Sequence, residues 1–184
     1  MNFSKIILCC FLLFFSPVLF AQESIDKVKS INGLELGATL ESLQDQLQLI
    51  TGKETVYQNH PFLAESFKRN LEAGIQEGIY QGHPLRIING VEAHDLRLIY
   101  LSGLLYKCRW TFNKRDLPNM DSGFKDFINF FSKKFGPPTK KIFNDTFIWE
   151  GDTNRLTISF LDGSIQVEWR DNLSDKKAIL LTQD

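Results

Sequence analysis

The sequence has little cysteine: three residues in 184, two of which, Cys9 and Cys10, lie inside the first apolar run. With residues 1–21 read as a removable leader, only Cys108 is left, and a lone cysteine cannot form an internal disulfide. Runs of like charge are lacking as well. The Lys-Arg and Lys-Lys pairs are separated by acids or apolar residues, and 21 basic residues face 22 acidic ones, which indicates no nucleic-acid groove. His60, His83 and His94 are spread without metal-ligand spacing, whereas a zinc site needs three or four convergent ligands. No serine occupies a Gly-x-Ser-x-Gly turn and no glycine loop has the spacing of a phosphate cradle. Glu65 with Glu72 and Asp121 with Asp126 read as solvated helix faces or caps. Asp152-Thr153-Asn154 reads as turn chemistry, because too few oxygen ligands follow for a calcium loop. The expectation is therefore no catalytic residue, no cofactor and no metal. An enzyme whose residues converge without a motif stays open as an alternative.

What the chain does have begins with an address. Lys5, an apolar run from Ile6 to Phe15, the Pro17 break and Ala21 predict a secretory signal peptide over residues 1–21. The run is shorter than the roughly 20 residues a membrane-spanning helix needs. A polar, flexible tail is expected over 22–33, then a single α+β domain over 34–184, with 34–116 and 117–184 as candidate halves. A secreted chain without disulfides points to the bacterial periplasm or to secretion, with a core built on its aromatic and aliphatic residues.

Alternating strand faces and helical stripes predict helices packed on an antiparallel sheet. Thr39 opens a short helix carrying Leu40, Leu43, Leu47 and Ile50, and Pro61 opens a second with Leu63, Ala64, Phe67 and Leu71. Glycines 78, 82 and 90 bracket two short strands. The stretch from His94 to Phe112 predicts a hairpin with a three-residue loop, Leu101-Ser102-Gly103, pairing Leu98 with Tyr106, Leu96 with Cys108 and His94 with Trp110. Its apolar residues occur on both faces, which places it inside the sheet, and its one mismatch sets Arg97 opposite Lys107. Phe124, Phe127, Ile128, Phe131 and Phe135 form the clearest helical stripe, stopped by Gly136-Pro137-Pro138. Asp162-Gly163 predicts a tight hairpin pairing Phe160 with Ile165, Ile158 with Val167 and Leu156 with Trp169. Phe147-Ile148-Trp149 reads as a further strand, and Ala178 to Thr182 as a final one.

The phrases Leu36-Gly37-Ala38-Thr39-Leu40-Glu41-Ser42-Leu43 and Phe135-Gly136-Pro137-Pro138 resemble phrases in small secreted bacterial domains of the beta-lactamase-inhibitor-protein-like kind, and in the small lipoprotein of the outer-membrane barrel assembly machinery. The disulfides of the inhibitor and the lipidation cysteine of the lipoprotein are missing here. The resemblance implies a non-enzymatic role in binding another envelope protein. From the residues themselves, Phe143, Phe147 and Trp149 share one face of their strand while Ile142 and Ile148 occupy the other, and Phe130 falls off the helix stripe. These four aromatics, Phe130, Phe143, Phe147 and Trp149, are the candidate partner contacts. The expected function is a secreted or periplasmic binding or accessory protein with an envelope protein partner. A carrier of a small apolar ligand is the alternative, since a helix on an aromatic sheet can enclose a pocket.

Overall fold

The computed structural model describes residues 24–113, 115–117 and 119–183. The expected signal peptide, with Cys9 and Cys10, lies outside the described residues. Among the described residues, twelve strands and four α-helices follow one another in this order: β1 (Ser30–Ile31), β2 (Leu34–Glu35), β3 (Leu47–Leu49), α1 (Thr55–Gln58), α2 (Pro61–Glu72), β4 (Ile75–Tyr80), β5 (Ile87–Ile88), β6 (Val91–Glu92), β7 (Asp95–Leu101), β8 (Leu104–Phe112), α3 (Met120–Phe135), β9 (Lys140–Ile142), β10 (Thr146–Glu150), β11 (Asn154–Leu161), β12 (Ser164–Asp171) and α4 (Asn172–Thr182). Eight strands form one sheet in the order β3-β4-β7-β8-β12-β11-β10-β9, all neighbours antiparallel. Each candidate half supplies four adjacent strands, and β8 and β12, the last strand of each, pair at the centre.

One face of this sheet is dry. Leu98, Cys108, Trp169, Leu156 and Trp149 follow one another across five strands in register, and all are fully or almost fully buried. The Phe124, Phe127, Phe131 and Phe135 stripe of α3 closes over them; the Phe127 ring lies tilted against Phe112 at 4.5 Å and Phe131 tilted against Trp149 at 6.3 Å. Asn119, rather than Asp121 or Ser122, caps α3 by accepting from the Ser122 N–H. At the other end Gly136 adopts φ +84, which a side chain would resist. The Asp162-Gly163 hairpin has the predicted register throughout.

The β7–β8 hairpin differs from expectation in an instructive way. Its loop has two residues, Ser102 and Gly103, both at positive φ, with Leu101 opposite Leu104 and Tyr100 opposite Leu105. A plain two-residue hairpin would set Arg97 against Cys108. A bulge at Tyr106 inserts one residue, so that Leu98 meets Cys108 and Leu96 meets Trp110. Apolar matching is restored, and Tyr106 is turned to the opposite face. His94 lies outside the strand and is exposed.

Three other expectations are corrected. The segment after Thr39 is a 3-10 turn, Leu40–Gln46, running straight into β3, so Leu47 belongs to the sheet. Ala178 to Thr182 is helical, because Asp171 accepts from the Ser174 N–H and starts α4 directly after β12. The expected tail over 22–33 is docked from Ser24 onward: Ile25, Val28 and Ile31 are buried in the main core. Its anchor is Asp26, whose carboxylate accepts the backbone N–H groups of Asp152, Thr153 and Asn154 and the Thr153 hydroxyl, all at 2.8–2.9 Å. These donors hold the Asp26 carboxyl down at about 2: burial pulls the other way, but the N–H groups of Asn154, Asp152 and Thr153 outweigh it. Gly151 permits the approach, since a Cβ there would overlap the carboxylate.

Candidate functional site

The second face of the sheet is built differently. α2 and α4 cover one end of it, through Phe67 and through Ala178 packed with Ile75, Ile99, Leu101 and Tyr106. The strand positions beyond them alternate outward from the dry face, and they carry charge. In one row, Lys107, Arg170 and Arg155 are directly opposite one another across β8, β12 and β11; in the next, Arg97 faces Arg109 across β7 and β8. Like charges opposite one another cost stability. Each cation is turned to a carboxylate instead. Arg97 holds Glu77 at 2.9 Å and Asp95 at 3.2 Å. Arg109 meets Glu168 at 2.9 Å, Arg170 bridges Glu168 at 3.6 Å and Asp175 at 2.9 Å, and Asp175 meets Lys107 at 2.6 Å. Arg155 and Glu150 close the strip at 3.6 Å.

The groups are held but not sealed. The side chains of Arg170, Arg155, Arg109 and Arg97 are 22%, 23%, 33% and 36% exposed, while Asp175 is 7% exposed beneath α4. Burial draws the Arg97 guanidinium down, yet the Glu77 and Asp95 contacts more than compensate and hold it above its ordinary value. Tyr106 is pushed up to about 12, first by burial and then by the carboxylates of Asp175, Glu168 and Glu77. Its phenol keeps its proton at neutral pH. A hollow of about 210 Å³ lies where α2, α4 and the strip meet, lined by Phe67, Ile99 and Tyr106 but also by Glu77, Lys107 and Asp175. Each carboxylate of the strip has a cation in contact. The arrangement thus provides a fixed pattern of charges of both signs, each held by an ion pair.

The four aromatics are not brought together as a patch. Trp149 is 1% exposed and donates its indole N–H to Gly136 O at 2.8 Å, which removes it as a partner contact. Phe147 is half-buried on Phe124 at 5.7 Å, so it is core margin. Phe143 stands 84% exposed in the β9–β10 turn at φ +50, and Phe130 is 36% exposed beside Phe131. Cys108 is fully buried, its thiol pushed far up chiefly by that burial, and His94 is not opposite it. Among the described residues no three His, Cys, Asp or Glu cluster as a metal site would require, and no helix is long and apolar enough to cross a membrane. The charged strip escaped the sequence reading, although a sign was present: the Arg97 mismatch in the expected hairpin was a cation meeting a cation. Compared with known protein families, curated proteins and solved structures, the chain finds no match.

Proposed function

We propose that the protein is a secreted, periplasmic, non-catalytic binding or accessory protein that acts through protein–protein contacts in the cell envelope, with the charged strip as its contact surface. The observation that supports this reading is the row of cations set opposite cations across β8, β12 and β11. Such a row is a poor way to stabilise a sheet, because replacing ionic groups by packed apolar ones is often neutral or stabilising. Locally unfavourable choices of this kind are expected where a surface serves recognition. Fixed charges of both signs select a complementary partner and reject like-charged ones. The resemblance of the Leu36–Leu43 and Phe135–Pro138 phrases to secreted binding domains points the same way.

A carrier of a small apolar ligand fits less well, because the hollow beneath α4 is lined with Glu77, Lys107 and Asp175. The test is photo-crosslinking in cells, with a crosslinking residue at Thr157 or Gln166, which lie in the strip without joining its ion pairs. A discrete adduct with one envelope protein from both positions, absent when the residue is placed at Phe143, is the expected result. Adducts from Phe143 alone would place the contact elsewhere and defeat the proposal.

A further inference from the structure

Helix α4 is turned inside out. Asp175 and Ala178 are buried under it, while Leu173 is 76%, Leu180 66%, and Ile179 and Leu181 each 47% exposed. The cause lies in the sheet below. Lys107 and Arg170 require Asp175 between them, and once that residue points inward the helical period sends Leu173, Lys176, Lys177 and Leu180 outward on one face, with Leu181 and Ile179 at its flanks. Both lysines are exposed. Beside this face, the last turn of α2 shares a shallow hollow with Leu181, lined by Arg69, Glu72 and Ala73.

We propose that the outer face of α4 is a contact surface for an anionic lipid bilayer, on which the helix lies flat. Three features select this occupant. First, the lysines stand in the middle of the apolar face, whereas cores of protein–protein interfaces are depleted in lysine. Second, a second copy docking through the same face would bring four such lysines together. At a bilayer the arrangement is favourable: leucines enter the boundary of the acyl chains while lysine stems run along them and carry the ammonium groups to the phosphates. Third, the charge the helix shows is positive. Asp175 is already paired with Lys107 and Arg170, Asp171 is committed to the Ser174 N–H, and on the neighbouring helix Glu72 faces Lys68 at 3.9 Å. Eleven residues make a rod of about 16 Å, enough to lie in the interface plane as a reversible contact.

This inference does not depend on the charged strip having a protein partner. Its test is vesicle flotation with a chain beginning at Gln22, which retains every element described above and omits the apolar run of residues 6–15. Vesicles of phosphatidylglycerol and phosphatidylethanolamine are compared with pure phosphatidylcholine. Expected are binding to the anionic vesicles, at least tenfold weaker binding to phosphatidylcholine, and a loss of roughly thirty-fold on Lys176→Gln/Lys177→Gln, about fivefold per lysine. Leu180→Ser/Leu181→Ser should also abolish flotation, with melting curves showing that both variants fold. No flotation of the parent chain, equal binding to both vesicle types, or variants that bind like the parent overturns the proposal. So does lipid-free dimerisation that Leu180→Ser/Leu181→Ser removes, which would name a second copy as the occupant.

Discussion

Replacing Asp175 by alanine tests the junction between α4 and the strip. Its two oxygens reach Lys107 Nζ at 2.6 Å and Arg170 Nη1 at 2.9 Å, and its side chain is 7% exposed. Lys107 and Arg170 are directly opposite in register, so removing the carboxylate leaves two cations face to face in a half-dry site. Breaking a buried ionic arrangement by deleting one member costs about 3–5 kcal/mol. The lower end applies here, because Arg170 is 22% exposed and keeps Glu168 at 3.6 Å. A loss of about 3 kcal/mol corresponds to a fall of roughly 6–12 °C in Tm for a chain of this size. Urea titration of Asp175→Ala gives the cost directly. Adding Lys107→Met should return at least 1 kcal/mol, since part of the penalty is the orphaned cation rather than the lost contact. A single-variant loss below about 1 kcal/mol, or a double variant no better than the single one, refutes the reasoning.

Asp26→Ala leaves the N–H groups of Asp152, Thr153 and Asn154 without their acceptor and should cost about 1–2 kcal/mol, discounted because the carboxylate is partly exposed. Because its pKa is lowered in the folded protein from 3.8 to about 2, the stabilisation is complete above about pH 4 and is lost as pH falls from about 4 to 2. Urea midpoints measured over that window should converge for the parent and Asp26→Ala; parallel curves contradict the assignment. Cys108 should react with iodoacetamide only at the rate of unfolding, followed by mass spectrometry, and rapid labelling of the native protein near neutral pH would show that the thiol is open.

Much of the fold was legible where the determinants are local. The Asp162-Gly163 turn set the register of β11 and β12, and the Phe124 to Phe135 spacing set the buried face of α3, since each depends on residues a few positions apart. The errors occurred where a distant partner decides. Ile25 and Val28 looked like tail because the groups that anchor Asp26 lie 126–128 residues away. Ala178 to Thr182 looked like a strand because a short apolar run does not reveal its period; the Asp171 cap and the inward pull of Lys107 and Arg170 on Asp175 make it a helix. The Tyr106 bulge reconciles a two-residue turn with apolar matching, a combination that neither simple register contains. Of the candidate contacts, Trp149 failed because its strand is covered by α3, which alternation along the strand alone could not indicate. The charged strip needed the pairing of β8 with β12, which joins residues from opposite halves of the chain.

The most direct test of the proposed contact surface is to swap one of its ion pairs in place. Arg155→Glu with Glu150→Arg keeps an opposite-charge pair at the same register but inverts the pattern a partner would meet. Parent and swapped proteins are tagged, recovered from the cell envelope after crosslinking, and compared for the bound protein, with urea titration confirming that stability changes by less than about 1 kcal/mol. The expected result is a discrete partner with the parent and at least a tenfold loss with the swapped protein. Equal recovery of that partner by a stable swapped protein would contradict the assignment of the strip as the contact surface.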